Sequence, residues 1–207
     1  MNRILTVSVL FLFFVHCGLS QKRVEKELAN PRTTSIDINT ANCFLLTLKT
    51  HTNKQLKIEA TMEGEYEKDL GITLEEEDSN IFISTSFLPS FNAPNDKLST
   101  HKVVSVSMII TLPQNMQVNI HGRHSMVIAS GDYNIFSVSL ANGNCVLTDI
   151  RGKITVKTQK GEISVSDIQG IVEAKSDYGE VISGAVRSGK PYFNLYAVQG
   201  NIFVNSN

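Results

Sequence analysis

Apolar residues in the second half of the chain fall on a nine-residue ruler. Val127, Phe136, Cys145, Ile154, Ile163, Val172 and Val181 occupy successive ninth positions. Two residues after each come Ala129, Val138, Leu147, Val156, Val165, Ala174 and Ser183, and the flanking residues are mostly polar. Positions i and i+2 of an extended strand share a face, so each unit predicts a half-buried strand of about five residues and a turn. Glycine, or Asn134 and Ser125, stands at the matching turn position, where a backbone with positive φ is needed cheaply.

The turns come in two interleaved sets. One holds Leu140 to Gly143, Thr158 to Gly161 and Ser176 to Gly179; the other holds Asp149 to Gly152, Asp167 to Gly170 and Ala185 to Ser188. In the second set Ile150, Ile168 and Val186 recur as a third apolar position, suited to a corner side chain turned into a stacked core. The full repeat is therefore eighteen residues, and recurrence at that interval places matched residues on top of one another in successive coils. This pattern predicts a parallel β-solenoid with two strands per coil. Strands 127–131, 145–149, 163–167 and 181–183 should stack in one sheet, with 136–140, 154–158 and 172–176 in the opposing sheet. An antiparallel meander is the alternative, and it has no reason to alternate its turns. After Val186 the register shifts, Arg187 to Pro191 reads as a bulge, and Tyr192 to Val204 supplies a further pair of strands.

Upstream, SIDINTA, CFLLTLKT, LKIEATME, GITLEEE, NIFISTSF and VVSVSMIITL are rich in β-branched and aromatic residues and mostly alternate. No stretch carries a helical period, so the expected class is all-β. The strands over 33–112 would cap the solenoid repeats of 115–204 at their N-terminal end, within one domain over 33–207. Residues 21–32 read as a polar leading segment. The stretch between Leu88 and Lys102 contains Pro89 and Pro94, which suits a surface loop.

The first twenty residues carry one cation, Arg3, an apolar run from Ile4 to Val15, and small residues Gly18 and Ser20 before Gln21. That order predicts a signal peptide over 1–20, cleaved after Ser20, and hence export to the periplasm, cell surface or medium. A retained N-terminal anchor is the alternative. The run falls short of the roughly 20 apolar residues of a spanning helix, and no later stretch approaches that length. Bulky Phe14, Val15 and His16 before Cys17 exclude a lipidation signal. Cleavage would leave 187 residues with net charge −2 and no basic block, which argues against a nucleic-acid partner.

Two cysteines remain, Cys43 and Cys145, too few for a structural metal framework. They pair in one disulfide or stay as buried thiols. A stacked calcium site needs repeated carboxylates, but Asn142, Lys160 and Tyr178 stand at the turns. His121 and His124 are three apart on a strand and point to opposite faces unless Gly122 turns, and with His51 and His101 they read as exposed polar residues. The outward residues Lys153, Thr155, Lys157, Glu162, Ser164, Ser166, Glu173 and Lys175 make mixed-charge ladders, the mark of a solvated face. The acidic run Glu75 to Asp78 reads as a solvated turn. Phe91, beside the prolines and near Phe87, packs over the capping strands or stacks on a partner.

The segment IITLPQNMQVNIHG and the run from Gly143 to Gly179 resemble a bacterial envelope family of adhesins with β-strand repeats of the form G-x-[IV]-x-[VA]. The pattern is similar also to the head domains of autotransporter adhesins from Bacteroidetes-type bacteria. The resemblance spans about residues 35–204 and implies an exported β-solenoid, with no chemistry and no site residue to transfer. No cofactor, metal or catalytic residue is expected. The functional expectation is a non-enzymatic surface scaffold for an unknown glycan or envelope protein, with no transmembrane segment in the mature chain and open ends available for self-association. A carbohydrate-active solenoid enzyme and an accessory protein of envelope-stress sensing are the alternatives.

Overall fold

The computed structural model of the protein describes residues 21–29, 32–64, 66–91 and 104–205. The expected signal peptide and its cleavage site, His101 and most of the proline-containing loop lie outside the described residues. Fifteen strands join in one continuous sheet of mixed orientation, and no α-helix occurs among the described residues. The first strands are β1 (Lys22–Leu28), β2 (Ser35–Asn39), β3 (Leu45–His51), β4 (Leu56–Gly64) and β5 (Leu70–Glu77). Next come β6 (Asn80–Phe87), β7 (Val104–Pro113), β8 (Gln117–Gly122), β9 (Met126–Asn142) and β10 (Cys145–Lys160). The chain closes with β11 (Ile163–Ser166), β12 (Gln169–Ser176), β13 (Val181–Ser183), β14 (Arg187–Gln199) and β15 (Ile202–Asn205).

β9 and β10 are long strands that pass through a corner and belong to both halves of the sheet. Their first parts pair in a wing ordered β1-β4-β7-β3-β9-β10-β11-β15-β13. Their second parts pair in a wing ordered β5-β6-β2-β8-β9-β10-β14-β12. Alternate side chains of both wings enter one apolar core, among them Leu46, Val127, Cys145 and Ile163 from the first wing and Ile36, Val118, Phe136 and Phe193 from the second. Tyr133 and Ile150 fill the corner from inside, and Tyr133 lies 4.8 Å from Phe136, ring centre to ring centre.

The eighteen-residue interval is visible in the pairing. Cys145 stands beside Val127, Ile154 beside Phe136, Ile163 beside Cys145 and Phe136 beside Val118, all in parallel ladders. The structure corrects the expected order of the outer strands. β12 does not lie on β10, nor β13 on β11, because β14 and β15 occupy the places between them. The same happens at the other end, where β2 and β3 lie between β6/β7 and β8/β9 rather than outside them. Burial explains the order at the C-terminal end. β14 and β15 turn Phe193, Leu195, Ala197, Ile202 and Val204 inward, a richer apolar set than Val172, Ala174, Val181 and Ser183. The pair with more to hide takes the interior place, and the poorer pair is left at the edge.

Three ladders are antiparallel, β1 with β4, β4 with β7 and β5 with β6. The segment expected as a polar leader is thus largely strand. β1 is charged at each outward position, and inward it alternates Lys22 and Lys26 with Val24 and Leu28, which pack on the end of the core. Lys22 Nζ donates to the carbonyls of Lys68 at 3.0 Å and Leu70 at 2.6 Å, and Lys26 Nζ to that of Ile72 at 2.8 Å. Inward-turned lysines of this kind satisfy an exposed strand edge and repel further strands.

The disulfide weighed between Cys43 and Cys145 is not formed; both are free and buried. Cys43 sits in the turn before β3, and β9 lies between β3 and β10. Two strand spacings come to about 9.5 Å, whereas bridged residues have Cα atoms within about 7 Å.

Candidate ligand-binding face

The outer surface of the second wing is built by eight strands in continuous register. One row across it reads Glu75, Phe82, Asp37, Asn119, Ser137, Thr155, Asn194 and Glu173. The next reads Thr73, Ser84, Asn39, His121, Ser139, Lys157, Tyr196 and Lys175. Both rows face outward because the positions between them, such as Ile38, Ile120, Val138, Val156 and Leu195, are spent on the core.

Short side chains beside long ones leave two hollows on this face. One, of about 460 Å³, lies over Ser139 and is lined by His121, Lys157, Gln159 and Tyr196. The other, of about 480 Å³, is lined by Asp37, Asn39, Glu75, Phe82, Ser84 and His121. His121 contributes to both and forms the ridge between them. Phe82 is 40% exposed, an aromatic face presented to solvent beside carboxylate, amide and hydroxyl groups.

The polar groups of the face are held in place by one another. Asp37 accepts hydrogen bonds from the Asn80 amide at 2.6 Å and the Asn119 amide at 2.8 Å, one on each carboxylate oxygen. The Tyr196 hydroxyl donates to Asp177, and the Tyr192 hydroxyl donates to Glu173 at 2.6 Å. These carboxylate bonds raise both phenol pKa values. Lys175 pairs with Asp177 at 2.7 Å and, joined by the Tyr196 hydroxyl, holds that carboxyl below its ordinary value. The Lys175 ammonium lies 5.8 Å from the Tyr196 ring centre, so one face of that ring meets a cation. Locked aromatic rings beside fixed hydrogen-bonding groups can stack on a sugar ring and bind its hydroxyls.

Of the residues singled out in the sequence, His121 lies on this face, whereas the aromatic pair and His51 lie elsewhere. Phe87 and Phe91 stack on each other with ring centres 4.3 Å apart, and Tyr66 meets Phe91 edge-on at 5.1 Å. This aromatic cluster sits at the end of β6, with Phe87 still 39% exposed. His51 closes the turn between β3 and β4, accepting from the Asn53 N–H at 3.0 Å and standing 2.8 Å from the Gln55 carbonyl. Among the described residues, no group of three His, Cys, Asp or Glu side chains is placed to hold a metal ion. A smaller hollow at the corner of β10 is lined by Asp149, Arg151, Asp167, Gln169 and Arg187. There Arg151 is already paired with Asp132 and Asp149, each at 2.9 Å. The sequence reading places Lys157, Glu173 and Lys175 outward, as observed, but not the part played by Asp37, Asn39, Phe82 and His121. Those residues join the face only through pairings across as many as 82 positions of sequence.

No helix among the described residues is long and apolar enough to cross a membrane. A scan against protein-family models finds no match, and neither does a search of curated proteins. Among solved structures, one described as a "putative cell adhesion protein" from Clostridium sporogenes superposes with a TM-score of 0.63 at 16% identity. That alignment covers 91% of this chain and 100% of the other. A "putative adhesin" from Bacteroides fragilis aligns with a TM-score of 0.45 at 13% identity, over 91% of this chain and 99% of that one. The chain has the fold of the clostridial protein.

Proposed function

We propose that this protein is an exported, non-catalytic surface protein, adhesin-like, that recognises a glycan on the outer face of the second wing. The observation that carries the proposal is the pair of hollows meeting at His121, flanked by Phe82 and Tyr196 on a rigid ladder. The parallel ladders at eighteen-residue offset support a β-solenoid scaffold under that face. The ordered cation, apolar run and small residues before Gln21 support export. The name of the clostridial neighbour, a "putative cell adhesion protein", supports a binding rather than an enzymatic role. The hollow beside Phe82 does hold two carboxylates, but each oxygen of Asp37 is already engaged by an amide, unlike a proton donor aimed at a glycosidic oxygen.

A glycan array probed with the chain from Gln21 onward tests the reading. Phe82→Ala and Tyr196→Ala should each weaken the best ligand about tenfold, the loss expected from one stacking contact. Binding untouched by both substitutions would move the site off this face. Reducing-end release from a polysaccharide, abolished by Asp37→Asn or Glu75→Gln, would establish the carbohydrate-active alternative. Absence of any glycan ligand together with capture of one membrane regulator would favour envelope-stress sensing.

A further inference from the structure

The two ends of the strand stack differ. At the β1/β5 end the inward lysines close the gap between the wings. At the other end the last layer is β12 and β13, which pair on one side only, with β14 and β15. Their inward side chains Val172, Ala174 and Val181 stand over Phe193, Leu195 and Ile202, with no further strand over them among the described residues. Val181 is therefore 42% exposed although its register position is a core position. Of the ten large apolar side chains exposed among the described residues, four belong to this layer: Ile171, Tyr178, Val181 and Ile182. Two bare strand edges with an apolar floor form a template for more strand.

We infer that this end is an interface at which two copies of the chain join tail to tail about a two-fold axis. The opposite end cannot serve as the mate in a head-to-tail chain, because Lys22 and Lys26 would bring buried charge against Val172 and Val181. A second copy of the same end fits in both shape and charge. Two identical edges related by a two-fold axis pair antiparallel, each residue meeting its mirror in register. With Ala174 at the axis, Glu173 of one copy stands beside Lys175 of the other, and Lys175 beside Glu173. Both side chains are exposed on the outer face of β12, so the segment Glu173-Ala174-Lys175 is its own electrostatic complement. On the inner face Ala174 would meet Ala174, and the two cores would run together.

Sedimentation equilibrium on the chain from Gln21 onward, over roughly 1 to 100 μM, is the test, a range chosen for interfaces of modest size. The expected result is an apparent mass rising to twice that of one chain and no further. Ala174→Lys, which sets a charge on the inner face at the axis, should leave a monomer. Glu173→Lys and Lys175→Glu should each shift the equilibrium towards monomer about tenfold, and the double exchange should restore the dimer, since it restores the complement. A wild-type monomer throughout the range would overturn the inference. So would a dimer indifferent to all three edge substitutions, or masses growing past two chains, which would mean head-to-tail assembly.

Discussion

Replacing Gly161 with alanine would set a methyl carbon 2.1 Å from the Gly143 carbonyl oxygen, in a backbone with φ of +145°. Both faults act together, steric overlap with a neighbouring layer and a conformation that L-residues avoid. The variant should lose about 3 kcal/mol of unfolding free energy, read as a lower urea midpoint at unchanged slope. The same contact explains the ruler. Gly143 approaches the Ser125 carbonyl, Gly161 that of Gly143, Gly200 that of Gly161, and Gly179 that of Gly200. Close approach of stacked turns is therefore the constraint at Gly143, where positive φ is not required. Beside this column Asn144 Oδ1 accepts the Glu162 N–H at 2.9 Å, and Asn201 Oδ1 accepts the Glu180 N–H at 3.0 Å. An asparagine in one layer thus ties down the backbone of the next.

At the scale of elements, β1 shows how little local sequence says about a strand in which lysines share the inward positions with Val24 and Leu28. Lys26→Ala removes the bond to the Ile72 carbonyl and should cost about 1 kcal/mol, with Lys26→Arg retaining much of it. Equilibrium urea unfolding measures both, and an alanine variant as stable as the parent would show that the edge needs no such closure. The strands of the nine-residue ruler were legible because each carries its inward pair locally, as Ile154 and Val156 do. The places of β14 and β15 were not, because a repeat states which strands can stack and not which of two compatible pairs will take the inner slot. That choice depends on comparing Phe193 and Leu195 with Val172 and Ala174 as competitors for one site. The binding face was hidden for a related reason: Asp37, Phe82 and His121 each read as ordinary outward residues of separate strands, and only β2 running between β6 and β8 unites them.

For the whole molecule, the two thiols make stability depend on pH in a direction that can be worked out. Burial is the largest cause in both cases; it pushes Cys43 up to about 11 and Cys145 up to about 12. In Cys43 backbone hydrogen bonds at Leu45 and Met108 offset part of that rise. In the unfolded chain a thiol ionises near about 8.5. Below that pH both states are protonated and the full stability is present; above it only the unfolded state gains by ionising. Stability should therefore fall from about pH 9 through the folded values, by about 1.4 kcal/mol per pH unit for each thiol. Tyr133 follows the same sign from about pH 10, its phenol raised by burial and then by the nearby Asp132 charge. Against a total of about 5–15 kcal/mol such a loss is large, so unfolding by mild alkali is expected. Urea midpoints at neutral pH and in the alkaline range measure it, and Cys145→Val, which keeps the core filled, should flatten the decline by about one thiol's share. The chain from Gln21 onward should also react slowly in its native state with a thiol-modifying reagent at pH 8 and take up two equivalents once unfolded. Two thiols reacting at full rate in the native state would contradict their burial, and none reacting after unfolding would mean that the cysteines are joined.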